Sequence, residues 1–403
     1  MIFGFIGIIL GVIISIITFY IVRRTFEYKS FIDKDVLRTG LFTKGFEAIN
    51  SSQWDDAISY FKQALKIAVT KDKITVFNQI ARCYYHKKDY EEALKNLSIA
   101  LGIVKTLKNK NAENGILSNI GLIYFAKGDF LSAIEQYNKI IDSDIKNPNI
   151  FYSRGVSYMK LNEYDKAIMD FSKAIELNPK YTDAFINRGS TYGIMKEYNK
   201  SINDFTKAIE LNPHNADTYF MRGTVYIDME KYDLAICDFN KAIELKPRDS
   251  SSYYNRGTTY IEKHEDDLAI ADFNKAIELN PKFAKAYHNR GYAYGNKQEY
   301  DRAIEDYSKA IELNPQSASS YNNRGDIYLK KLKIEEATID IKKALELDSK
   351  LAVAMVSMGE IYQIKNDSKS ARHWFEKALE NKNQLSEDQI KEVQQLLKEL
   401  ENK

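Results

Sequence analysis

The chain has 403 residues, 44% hydrophobic and 28% charged, which is enough apolar material for one or more packed units. Lys+Arg number 58 against Asp+Glu 56, a balance that excludes a strongly basic nucleic-acid binder and an acidic tail protein. With 6 prolines, 18 glycines and two isolated cysteines (Cys83 and Cys237), disordered linkers, a turn-rich all-β fold and a disulfide scaffold are excluded as well.

The first predicted element is a membrane helix over residues 2–22. No charged side chain occurs between Ile2 and Val22, and 21 residues at 1.5 Å rise span roughly 31 Å, close to a bilayer's hydrocarbon core. A cleaved signal peptide would need a basic leader, a shorter apolar run and a small-residue cleavage site, none of which occurs here. Arg23, Arg24, Lys29, Lys34 and Arg38 follow, so residues 23–37 read as a juxtamembrane segment and the positive-inside rule places the rest of the chain in the cytoplasm. The inverted orientation, with the remainder facing the periplasm or exterior and serving envelope assembly, is the alternative. Gly7 and Gly11 form a G-x-x-x-G pair, a candidate homodimer seam.

A 34-residue period fills the chain beyond this segment. Gly121, Gly155, Gly189, Gly223, Gly257, Gly291, Gly325 and Gly359 keep that step without exception, as do Pro179, Pro213, Pro247, Pro281 and Pro315. Inside one period, Tyr253, Tyr260 and Ile261 recur at helical spacing around Gly257, and Leu268, Ala269, Phe273, Ala276 and Ile277 mark a second helix. Gly257 and Ala269 lack bulk, so the two backbones can approach closely. Asn280-Pro281 then stops the second helix, because proline lacks a donor and pushes its predecessor out of the α region. One such pair cannot bury its apolar face alone, so neighbours must stack into a solenoid.

Tyr253, Gly257, Tyr260, Ala269, Phe273 and Pro281 resemble the tetratricopeptide repeat pattern. The resemblance implies an all-α, right-handed superhelical solenoid of about ten helix pairs over residues 38–385. Counted from seven residues before each glycine, units start near 38, 74, 114, 148, 182, 216, 250, 284, 318 and 352. The step from 74 to 114 is 40, which predicts a lengthened second helix or a longer loop around Gly102–Glu113. Residues 386–403 predict a final capping helix, with Ser386 and Gln389 as its capping box and Ile390, Val393, Leu396, Leu397 and Leu400 as its buried stripe.

Arginine occupies the seventh position of six successive units: Arg154, Arg188, Arg222, Arg256, Arg290 and Arg324. Asp170, Asp204, Asp238, Asp272, Asp306 and Asp340 each follow sixteen residues later, and units lacking the arginine also lack the aspartate. This covariation within one chain predicts a structural ladder of ion pairs inside each repeat rather than a basic surface for an acidic ligand.

No motif predicts chemistry. The five histidines are isolated, and there is no H-E-x-x-H, P-loop or G-x-S-x-G. The reading is therefore of a non-enzyme with no cofactor, no metal, no nucleic-acid partner and no small-molecule substrate. A repeat arm of an enzyme would need a catalytic block that the chain leaves no room for.

In the resembled family the concave face is lined by the first helix of each pair. Carried over by position, that face is Tyr152, Ile186, Phe220, Tyr254 and His288 at position five, with Tyr292 at position nine of its unit. The resemblance implies a groove for an extended or helical peptide of unknown identity. The subclass that clamps a chaperone's terminal carboxylate uses Lys at position five, which no unit here has. The function expected is a membrane-anchored scaffold that recruits a protein or peptide partner.

Overall fold

The computed structural model describes residues 2–143 and 146–401, with side chains from residue 20 onward except 22, 28 and 401. All regular structure among them is helical. Two compact units divide the chain at Thr191 and Tyr192, inside one helix, α9 (Thr182–Ile194).

The first unit begins with α1 (Ile2–Asn50), a single helix of 49 residues. The stretch 23–37, expected to lie beside the membrane, is part of this one helix. That stretch has neither Gly nor Pro, and Arg23 pairs with Glu27 one turn on, so nothing stops the helix. Among the described residues, no helix is long and apolar enough to cross a membrane. The proposed span 2–22, Gly7 and Gly11 included, has most of its side chains outside the described set.

Helices α2 (Trp54–Ile67), α3 (Thr70–His86), α4 (Tyr90–Thr106), α5 (Lys110–Ala126), α6 (Phe130–Ile141), α7 (Pro148–Lys160) and α8 (Tyr164–Leu177) complete this unit with the start of α9. The six residues beyond the regular period are absorbed by helix, since α3, α4 and α5 each run 17 residues. The regular first and second helices α7 and α8 have 13 and 14.

The second unit continues through α10 (Tyr198–Leu211), α11 (Ala216–Asp228), α12 (Tyr232–Leu245), α13 (Ser250–Glu262) and α14 (Asp266–Leu279). It then runs through α15 (Ala284–Asn296), α16 (Tyr300–Leu313), α17 (Ala318–Lys330), α18 (Ile334–Leu347), α19 (Ala352–Ile364), α20 (Ser368–Glu380) and α21 (Glu387–Glu401). Each pair closes on one buried ring or branched chain from its second helix. Phe273 is fully buried, and a Cβ added at Gly257 would lie 2.8 Å from its ring, so only glycine permits this approach. Burying such a ring stabilises by about 1.5–3 kcal/mol. Asn280, before Pro281, leaves the α region at φ −138 and ψ 88, and α14 ends at Leu279.

At the chain's end, Gln389 N–H donates to Ser386 Oγ at 3.2 Å and Ser386 N–H donates to Gln389 Oε1 at 2.9 Å. This reciprocal cap starts α21, whose Val393 and Leu400 pack on Ala371 and Phe375 of α20. A stacked array needs such a polar-backed helix over its last apolar face.

Candidate functional site

The arginines lie along the first helices, one per repeat. In the first unit, Arg154 Nε donates to Asp170 Oδ2 at 2.8 Å and Nη2 donates to Oδ1 at 2.7 Å. In the second, Arg222–Asp238, Arg256–Asp272, Arg290–Asp306 and Arg324–Asp340 repeat the same bidentate fork at 2.6–2.8 Å. The planar guanidinium matches the carboxylate's two oxygens, which a lysine could not do. Arg188, which donates to Ser172 Oγ at 2.8 Å, and buried Asp204 fall on opposite sides of the division between the units. Burial pushes the Asp170 and Asp306 carboxyls above the ordinary carboxylate range, against the pull of Arg154 and Arg290.

Each fork has a third tine that sequence reasoning missed. Arg154 Nη1 donates to Asn138 Oδ1 at 2.6 Å, Arg222 Nη1 to Thr206 Oγ1 at 2.9 Å and Arg324 Nη1 to Ser308 Oγ at 2.9 Å. These acceptors lie sixteen residues before the arginine, on the second helix of the preceding repeat. Each of these three arginines therefore fastens its own repeat and joins it to its neighbour. The signal was present: positions 138, 172, 206, 240, 274 and 308 carry only Asn, Ser or Thr, while 342, sixteen residues before Met358, carries Lys.

A second ladder was also missed. Lys263 Nζ lies 2.7 Å from Asp233 of the preceding repeat, and Lys87–Asp55, Lys127–Glu91, Lys297–Asp267 and Lys331–Asp301 pair likewise. These pairs are solvent-exposed on the carboxylate side and contribute little each.

The predicted aromatic row is more occupied than its positions suggest. In the first unit Tyr152 is half-buried, its ring 5.0 Å from Tyr181 and 5.9 Å from Phe171, and its hydroxyl accepts from Asn187 Nδ2 at 3.0 Å. Ile186 is half-buried. In the second unit Phe220 leans on Phe239 at 5.8 Å. Tyr254 packs between Phe273 and Phe283, and Asn289 Nδ2 donates to its hydroxyl at 3.2 Å. His288 Nδ1 lies 2.8 Å from Ser320 Oγ, and burial pushes the imidazole below its ordinary range. Tyr292 is 45% exposed, the one large ring in this row with an open face. The rings at position five are thus half-buried. Each such ring is partly consumed by the buried side chain of its own second helix or by the aromatic that opens the next repeat. Among the described residues no cluster of His, Cys, Asp and Glu could hold a metal.

Tetratricopeptide repeat signatures match residues 72–146, 148–181, 182–215, 284–317 and 352–384, and further ones match 205–236, 223–263, 257–298 and 307–338. Tetratricopeptide repeat protein 19 homolog, mitochondrial, of Drosophila melanogaster is 30% identical over 105 residues, 24% of this chain, and the chain spans 28% of that relative's length. A tetratricopeptide repeat protein from Parabacteroides merdae shares the fold with TM-score 0.51 at 20% identity, covering 63% of this chain and 98% of its own. The crystal structure of YrrB, described as a TPR protein with an unusual peptide-binding site, matches at TM-score 0.40 and 27% identity, covering 46% of this chain and 95% of its own. The signatures recur at the period that the glycines and prolines set, from the second predicted unit to the last: the chain belongs to the tetratricopeptide repeat family.

Proposed function

We propose that this chain is a non-catalytic scaffold that holds a protein or peptide partner along its first helices, with residues 2–22 tethering it to a membrane and the repeats facing the cytoplasm. The observation that carries the binding reading is Tyr292, an aromatic ring 45% exposed on α15, flanked by the half-buried rings of Tyr254 and His288. Tyrosine, with an apolar ring and a polar tip, is enriched at protein–protein contacts. The hydroxyl and amide edges beside it, from Thr258 and Asn289, suit an extended backbone.

Partner capture by the full chain, read by cross-linking in intact cells, tests the reading. Tyr292→Ser should reduce the captured partner while leaving the melting temperature unchanged. Adding Phe220→Ser and Tyr254→Ser should abolish capture at some loss of stability, because both rings also pack on their own repeats. Undiminished capture by a folded triple variant overturns this placement of the partner.

A further inference from the structure

One side of α1 carries a regularity that the repeats do not use. Residues 21, 25, 28, 32, 36, 39 and 43 follow at steps of three or four, the spacing of a single helix side, and none is charged. Ile21, Thr25, Ile32, Val36, Thr39 and Thr43 are all exposed, and all six are β-branched. The threonine hydroxyls are satisfied within the helix. Thr25 Oγ1 donates to the Ile21 carbonyl at 2.7 Å, Thr39 Oγ1 to the Asp35 carbonyl at 2.9 Å and Thr43 Oγ1 to the Thr39 carbonyl at 3.1 Å. The result is a charge-free row about 33 Å long. Phe26 and Leu37, on another side, form no such row, because Lys29, Asp33 and Lys34 stand beside them.

The repeats dock away from this row. Phe42 meets Phe61 of α2 at 6.0 Å between ring centroids, a Cβ at Gly45 would lie 2.7 Å from the same ring, and Arg38 Nη1 lies 2.6 Å from Asp72 of α3. At roughly 100° per residue, these contacts centre about 130° round the helix from the row. Two copies joined along the row keep their repeats on the outer sides.

Length and continuity indicate what covers it. The row spans residues 21–43, whereas no other described helix exceeds the 17 residues of α3, α4 and α5. Counted back along the same helix, Gly7 and Gly11 fall on this side, so the candidate homodimer seam runs into the row. Lipid reaches little of it. With residues 2–22 as the tether, position 36 stands about 21 Å beyond position 22, against a headgroup layer roughly 5–8 Å deep.

We propose that α1 pairs with α1 of a second copy of this chain, parallel and in register along residues 21–43. The parallel direction rests on the tether reading, since two copies anchored by residues 2–22 leave the membrane on the same side.

The test uses the full chain in intact cells, with the exposed Cys237 changed to Ser. Single cysteines replacing Thr25, Ile32, Val36 or Thr39 should each give a covalent dimer under mild oxidation, because an in-register pair brings equal positions together. Cysteines replacing Lys34 or Leu37 should give none. Ile32→Glu with Val36→Glu sets like charges across the pair, and the detergent-solubilised chain should fall from the mass of two copies to that of one. Its melting temperature should not change, because both side chains are exposed. A covalent dimer at Ile32 alone marks an antiparallel pair and overturns the inference. So do cross-links to a different protein, equal cross-linking at every position, or none. Tyr292-dependent capture and pelleting with carbonate-washed membranes read the scaffold and the tether separately, so either stands or falls without this pair.

Discussion

Arg256 and Asp272 meet in two parallel hydrogen bonds, Nε to Oδ2 at 2.7 Å and Nη2 to Oδ1 at 2.6 Å, with Asp272 only 6% exposed. The pair ties α13 to α14, and Nη1 of the same arginine reaches Asn240 on α12. One side chain thus links three consecutive helices, and the sequence repeats the device along the array.

Removing one member should cost far more than removing both. Arg256→Leu leaves a buried carboxylate without a counter-charge, and a loss of about 3 kcal/mol is expected. Adding Asp272→Asn should restore a large part of it, because the stranded charge disappears. Denaturant unfolding of the two single variants and the double variant forms the cycle. Strict additivity would show that the two side chains do not act as a pair.

The turn between α17 and α18 offers a stabilising change. Leu332 has φ 58 and is 77% exposed, so a branched side chain occupies the left-handed region with no packing in return. The matching turn positions Asn162 and Asn366 carry the residue that tolerates this region best after glycine. Leu332→Asn should raise stability by about 1 kcal/mol, read as a higher melting temperature. A lower one would mean that the leucine makes a contact worth more than the strain.

Stability near the C-terminus should fall as pH rises. Burial pushes the Glu360 carboxyl up to about 7 and the Asp326 carboxyl up to about 6, and the Coulombic repulsion between the two carboxylates adds to the Glu360 shift. Both folded values lie above the unfolded ones, so the stability their neutral forms contribute is present below about pH 4 and is lost as pH rises through about 6 to 7. Ser357 and Asn322 donate to Asp326, which offsets part of the effect. Glu360→Gln should therefore stabilise at pH 8, by on the order of 1–2 kcal/mol after solvent screening, and change little at pH 4. Equal effects at both pH values would contradict the assignment.

Deleting residues 1–24 should release the chain from membranes while leaving the helices of the repeats intact. The first unit closes α1 on α2 through Ala48, Ile49 and Phe61, all well beyond the deletion. Sedimentation with carbonate-washed membranes is the measurement. A truncated chain that still pellets would place a lipid-binding surface within the repeats.

The Arg–Asp forks were legible because both partners sit in one repeat and vary together from unit to unit. The third tine to Asn138, Thr206 or Ser308 was harder to see, because a small polar residue is common on any helix and specifies nothing until the guanidinium's direction is known. Tyr254 illustrates the opposite failure. Its position promised an open anchor, but Phe283, from the turn before α15, covers one side of the ring.

One period of the sequence already holds the helix pair, the glycine and ring that meet inside it, the proline stop and the ion pair across it. These contacts are nearly local and recur from unit to unit with small variations, so a 34-residue pattern encodes them. The tertiary structure alone decided which of those side chains still face outward. The covering of Tyr152 and Tyr254 and the exposure of Tyr292 depend on how one pair seats on the next. Close packing determines that, since a ring is open or covered according to a few atoms of a neighbour that the period places but does not orient.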